Sequence, residues 1–260
     1  MIPVRVIPCL LLRNRGLVKT VRFKNPTYVG DPINAVKIFN DKQVDELIFV
    51  DISATPQKTE PPFEQLKQIS SECFMPFAYG GGVRTITHFH ELFALGVEKV
   101  CVNTHAVLNP GFLELAAREF GSQSVVGVID VKKKLIGGYE ARVNGGRDGT
   151  GLSPVDLAKR FEGEGAGEIF VNDIDRDGTM SGYNIDLIRS VTDAVGVPVI
   201  ACGGARNVDD LSAAIQEGGA SAAAAGSMFV FMGKHRAVLI NYPVPAGHNF
   251  GSQTIQSGTR

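Results

Sequence analysis

VPVIACGGARNV (197–208) repeats the pattern of MPFAYGGGVRTI (75–86), an apolar run of strand length that breaks into glycines, at a separation of about 122 residues. The same interval relates DELIFVDIS (45–53) to GEIFVNDID (167–175). Two strand-bearing segments repeated together at one offset describe a chain built from two similar halves, about 1–122 and 123–242.

Further runs of the same kind lie on either side. The full set is VRVIPCL (4–10), ELIFVDI (46–52), PFAY (76–79), EKVCVN (98–103), SVVGVID (124–130), EIFVNDI (168–174), VPVIA (197–201) and ASAAAAG (220–226). Each is nearly continuous in apolar character, as parallel strands covered on both faces require. Between them, segments such as FHELFALG and DDLSAAIQEGG carry helical spacing. Eight alternating units predict an α/β fold of the closed (β/α)8 class, a TIM barrel, as a single domain over 1–242. A doubly wound open sheet is the alternative, because periodicity alone does not show closure.

Composition agrees with one large core: of 260 residues, 44% are hydrophobic and 20% charged. Twenty-six Lys and Arg balance 27 Asp and Glu, so no overall positive field draws the chain to nucleic acid or anionic lipid. No apolar run approaches the roughly 18 residues of a membrane span. The opening MIPVRVIPCLLLRNRG has Arg5 within its apolar stretch and no small-residue cleavage site, so a cytoplasmic chain without membrane insertion is expected. Cys9, Cys73, Cys101 and Cys202 lack CxxC spacing and read as reduced core residues. The five histidines show no zinc-type spacing, and neither metal nor cofactor is expected. Residues 11–31, with Arg13, Arg15, Lys19, Arg22 and Lys24, read as a long binding loop or lid. The stretch Pro243–Arg260, rich in Gly, Pro, Ser and Gln, reads as a mobile or peripherally packed tail.

In a closed barrel the C-terminal strand ends form the working face. There, Gly81 and Gly82 follow the third strand, and Asn103 and Thr104 the fourth. In the second half, Asp177 and Gly178 follow the sixth strand, Gly203 and Gly204 the seventh, and Gly226 and Ser227 the eighth, ahead of a short helix expected at Met228–Phe231. Open backbone N–H groups and small donors of this kind suit phosphate, and two sets imply a ligand phosphorylated at both ends or two phosphate ions. Taken singly, the same glycines read as turns.

Asp130 closes VVGVIDVK and is the candidate general acid or base. No partner carboxylate stands at the end of the first strand, which reads Cys9, Leu10, Leu11, and the first acidic residue of the chain is Asp31. At the opposite strand ends lie Arg5, Glu46, Lys99 and Glu168. They are either ordinary strand-end charges of small individual value or members of one ring.

The motifs VDELIFVDISA, FAYGGGV, VEKVCVNT, FGSQSVVGVIDVK, GAGEIFVNDIDRDGTMSGY and VIACGGA together resemble the cyclase subunit (HisF-like) of imidazole glycerol phosphate synthase over about residues 3–231. The resemblance implies a two-fold (β/α)8 barrel, phosphate sites on the two glycine sets and a substrate-covering loop at Lys19. It also implies a partner glutaminase (HisH-like) whose ammonia enters past a gate of Arg5, Glu46, Lys99 and Glu168. None of the four cysteines has a nucleophile's setting, so glutamine use requires that partner chain.

The family pairs an aspartate at the end of the first strand with one at the end of the fifth, and here the pair is Leu11 with Asp130. Losing a positioned acid or base costs about 10²–10⁴ in rate. Asn172 and Asp173 also stand where the family has Thr-Ser. The segments 8–40 and HRAVLINYP (235–243) resemble cyclase-like proteins of bacterial surface-polysaccharide clusters. That branch implies a separate sugar amidotransferase and ammonia delivery for acetamidino groups on O-antigen or lipopolysaccharide sugars. A genuine cyclase of histidine biosynthesis and a non-enzymatic, phosphate-binding scaffold are the alternatives.

Overall fold

The computed structural model describes residues 5–233 and 235–244. Its barrel strands are β1 (Arg5–Arg13), β2 (Leu47–Asp51), β3 (Phe77–Gly80), β4 (Lys99–Val102), β5 (Val125–Lys133), β6 (Glu168–Asp173), β7 (Val199–Cys202) and β8 (Ala222–Ala225). Each pairs in parallel with its neighbour in chain order, and β8 returns to β1 with Arg5 opposite Ala222 and Pro8 opposite Ala225. That last pairing excludes the open doubly wound sheet, which would leave two unpaired edges.

Closure sorts the side chains by parity. Ile7, Cys9, Ile48, Ala78, Cys101, Val126, Phe170, Ile200, Cys202, Ala222 and Ala224 form the inner core. Their sequence neighbours, such as Val6, Leu10, Leu47 and Phe49, pack in the outer cluster together with helical residues. Those helices start on identifiable caps. The Asp31 carboxylate accepts from the Asn34 N–H ahead of Pro32–Asp41, Ser153 caps Pro154–Gly163, and Asn207 caps Val208–Gln216.

Residues 11–31 are not an irregular loop. β1 runs on to Arg13 and pairs antiparallel with Gly16–Val21, which pairs in turn with Lys24–Gly30. The turns are made by Asn14 and Arg15, and by Arg22 and Phe23, all at positive φ. The usual Asn-Gly or Asp-Gly hairpin signal is therefore absent from the sequence. β5 likewise overshoots the barrel and folds back against Tyr139–Val143.

Among the described residues, the one helix after β8 is the single turn Ser227–Val230, and an extended segment completes the outer layer there. Leu239 N–H donates to Val230 (2.9 Å) and Asn241 N–H to Phe229 (3.0 Å), while Ile240, Tyr242 and Val244 pack on the outer core. The Tyr242 hydroxyl donates to the Val6 carbonyl (2.7 Å), and the Asp45 carboxylate accepts from the Val6 N–H (2.9 Å). Of the tail expected from Pro243, Val244 belongs to this packed segment, and residues 245–260 lie outside the described residues. Tyr242→Phe is expected to cost about 1 kcal/mol, the value of one hydrogen bond. Tyr242→Ala is expected to cost about 3 kcal/mol, because the ring packed at a tilt 5.5 Å from Phe229 is lost as well. Urea denaturation of the two variants checks the ranking.

Candidate functional site

The four charged residues at the N-terminal strand ends meet inside the barrel mouth. Arg5 donates through Nη1 to Glu46 (2.7 Å) and through Nη2 to Glu168 (2.7 Å). Lys99 Nζ reaches both carboxylates from the other side at 3.1–3.3 Å. Each cation therefore bridges both anions, and the ring is neutral as a whole. Burial alone would lower the Arg5 pKa, but the Glu168 and Glu46 carboxylates outweigh it and the guanidinium is held above its ordinary value. The two cations differ in kind. Arg5 is fixed by a two-pronged fork, whereas Lys99 offers a compact charge on a flexible stem.

Above the ring the inner core leads to the opposite mouth. From Arg5 to Leu11 is six residues of β1, roughly 20 Å along the strand. Small side chains at Ala78, Ala222 and Ala224 line part of this interior.

At the C-terminal face a cavity of about 860 Å³ opens, lined by Lys19, Gly81, Gly82, Asn103, Thr104, Asp130, Asp177 and Gly226 among the expected site residues. Leu11 lines it too. Since β1 and β5 stand four strands apart in a ring of eight, Leu11 and Asp130 face each other across the barrel. Asp130 is alongside Asn172, whose Nδ2 donates to it at 3.3 Å. Burial pushes the Asp130 carboxyl up to about 7, with the Asn172 hydrogen bond opposing and Asp177 adding to the shift. A carboxyl that titrates near neutrality suits proton transfer in either direction.

Lys19 does not extend over the mouth as a covering loop would place it. It is buried on the hairpin, its ammonium donates to the Cys9 carbonyl, and an added Cβ at Gly226 would overlap its Nζ. Burial lowers the Lys19 pKa, although Cys9 and Asp177 pull it back up. Asp177 is raised by burial, against Lys19 and a hydrogen bond from Thr20 Oγ1 (2.9 Å). Together with Arg22 N–H donating to the Asp177 carbonyl (2.8 Å), these contacts latch the hairpin to the loop after β6.

Asn103 and Thr104 are engaged in holding the excursion after β5. Asn103 Nδ2 donates to the carbonyls of Val128 (3.1 Å) and Arg142 (3.3 Å), and Thr104 Oγ1 accepts from Asn144 N–H (2.9 Å). Gly81 and Gly203, equivalent in the repeat, both have positive φ and lie against the backbone of Asp51 and Asp173, with room for no side chain. Their glycine identity is thus required by packing whatever they bind.

The remaining second-half residues, Gly178, Gly203, Gly204 and Ser227, border a separate cavity of about 20 Å³ together with Asp177 and Gly226. Beyond the residues expected from the sequence, the second excursion brings the cations Lys132, Arg142 and Arg147 to the large pocket, which Lys58 and Arg84 also line. With Arg13, Lys19, Arg22 and Lys24 they make nine cations against Asp51, Asp130 and Asp177. The basic cluster at 132–147 was the available signal. Among the described residues no group of His, Cys, Asp or Glu is arranged to hold a metal ion, and no helix is long and apolar enough to cross a membrane.

Asp130 also makes a pH prediction. Its unfolded pKa is near 4 and its folded one about 7. The folded state binds the proton more tightly, so this group's contribution to stability falls as pH rises from about 4 through 7. Asp130→Asn removes that loss. Its melting temperature is expected to gain on the wild type between pH 4 and pH 8, and a constant difference across that range in a thermal unfolding series would contradict the assignment.

Comparison with known proteins bears on the whole barrel. The family described as histidine biosynthesis protein matches residues 5–236. A Pseudomonas aeruginosa protein provisionally named imidazole glycerol phosphate synthase subunit hisF2 is 52% identical over 239 residues, 92% of this chain and 95% of its own length. A Vibrio vulnificus protein provisionally named subunit hisF3 of the same synthase is 45% identical, covering 93% of this chain and 94% of its own. The imidazole glycerol phosphate synthase subunit HisF of Alkaliphilus metalliredigens is 43% identical, covering 88% and 91%. With the fold, the charged ring and this similarity along nearly its full length, the chain belongs to the histidine biosynthesis protein family, among the HisF-like cyclase subunits of imidazole glycerol phosphate synthase.

Proposed function

We propose that this chain is the barrel subunit of a glutamine-dependent amidotransferase system. It receives ammonia from a separate glutaminase (HisH-like) chain in a heterodimer, passes it through the ring of Arg5, Glu46, Lys99 and Glu168, and releases it in the C-terminal pocket. There the ammonia serves acetamidino-group formation on a surface-polysaccharide sugar, together with a separate sugar amidotransferase. The observation that carries the reading is the combination of a complete charged ring with a pocket in which Leu11 faces Asp130. The ring retains every contact, while only one of the two acid-base positions holds a carboxyl. The sugar-modifying role is supported by the resemblance of segments 8–40 and 235–243 to that branch.

Lys99 is the movable member of the ring. Its ammonium contacts, at 3.1–3.3 Å, are longer than the 2.7 Å contacts of Arg5 and carry no directional fork. Neutral ammonia would pass when Lys99 swings aside. In the complex with the glutaminase, Lys99→Ala is expected to leave glutamine hydrolysis running while the amidated product per glutamine falls. Unchanged coupling would refute the gate.

A second reading, a working cyclase of histidine biosynthesis, is favoured by one observation: Asp130 alone titrates near neutrality and so can both give and take a proton. Turnover of the bisphosphorylated histidine-pathway intermediate with saturating ammonium and no glutaminase separates the two. The channelling reading expects negligible wild-type turnover and a gain of about 10²–10⁴ in Leu11→Asp. Robust wild-type turnover, lost in Asp130→Asn, establishes the cyclase.

A further inference from the structure

The two glycine sets are related by the repeat, but their cations are not. In the first half Arg84 follows Gly81 and Gly82 and lines the large pocket, with a loose contact of 3.6 Å to the exposed Glu60 carboxylate. Its equivalent at the repeat interval is Arg206, which follows Gly203 and Gly204. Arg206 is committed elsewhere: Nε and Nη2 grip both oxygens of Asp210 at 2.9 and 2.8 Å, and its own N–H adds a third bond to that carboxylate. A guanidinium held in this way has little charge left to offer a ligand.

Another arginine stands at the second set. Arg236 Nη2 donates to the Gly178 carbonyl (3.2 Å) and to Ser227 Oγ (3.4 Å), and its guanidinium lies over the Phe231 ring at 4.6 Å. Both hydrogen-bond acceptors border the 20 Å³ cavity, and both are neutral. Among the described residues no carboxylate forms a salt bridge with Arg236. The one acidic residue bordering the cavity, Asp177, accepts from Thr20. A fixed cation with only neutral acceptors gains when an anion replaces them, because the new hydrogen bonds are charge-assisted.

We infer that Arg236 is a ligand of a phosphate group held by the second glycine set, taking the part that Arg206 has given up to Asp210. The inference rests on the reading that both glycine sets bind phosphate. The cavity has room for little more than one water. Binding therefore moves the Arg236 guanidinium off the Gly178 carbonyl and onto the phosphate. The group bound is a phosphate dianion, either free or borne by a sugar.

The test is titration of the full chain with inorganic phosphate by calorimetry, for the wild type, Arg236→Met, Arg236→Lys and Arg206→Gln. Met keeps an unbranched apolar side chain at this position while removing the charge. The expected result is two sites in the wild type, with one of them weakened about 10–100-fold in Arg236→Met, the cost of a hydrogen bond to a charged group. Arg236→Lys should recover part of that loss, and Arg206→Gln should bind as the wild type does. Two undiminished sites in Arg236→Met would overturn the role of Arg236 alone. Absence of phosphate binding in the wild type would overturn the two-site reading and this inference with it. Ribose 5-phosphate in place of phosphate identifies the source: tighter binding points to a sugar-borne group and equal or weaker binding to the free ion, with the loss in Arg236→Met expected in both.

Discussion

The pairing of β8 with β1 is the constraint on which everything else hangs. Once Arg5 lies opposite Ala222 and Pro8 opposite Ala225, the sheet has no edge in its ring and every strand must present alternate residues to a common interior. Arg5, Glu46, Lys99 and Glu168 then have nowhere to point but inward at one mouth, and Leu11 and Asp130 inward at the other. Four charges brought into so small a space are tolerable only because each cation meets both anions.

That arrangement is reinforced from outside the barrel. Asp45 and Glu46 are adjacent in sequence and turn to opposite faces, so one grips the Val6 backbone while the other takes the Arg5 guanidinium. Tyr242 closes the grip on Val6 from the extended segment that stands after β8. At the far mouth the hairpin is tied down in a comparable way, through Lys19 to Cys9 and Thr20 to Asp177.

The eight strands were legible because each is a short apolar run between helical segments, and the halves because of one repeat interval. Less legible were the hairpin at 16–30 and the packed segment at 239–244. The hairpin turns on Asn14, Arg15, Arg22 and Phe23 at positive φ without glycine, so its cations suggested a loop. The segment uses period-two packing of Ile240, Tyr242 and Val244 over too few residues to stand out. Candidate residues at strand ends were readable from position alone, but the engagement of Asn103 and Thr104 in backbone contacts was not, since their partners are 25 to 40 residues away.

By itself the sequence determined the strand count, the repeat of one half in the other and the absence of a carboxylate at Leu11, all of which depend on local pattern. Tertiary structure alone decided that the four end charges form one ring, that Lys19 is buried, that the Asp130 carboxyl is pushed up to about 7, and that Arg206 is bound to Asp210 while Arg236 donates to neutral acceptors. These depend on burial and on distances between residues remote in the chain. Electrostatic energies follow separation and desolvation in space, and neither is written in the order of residues.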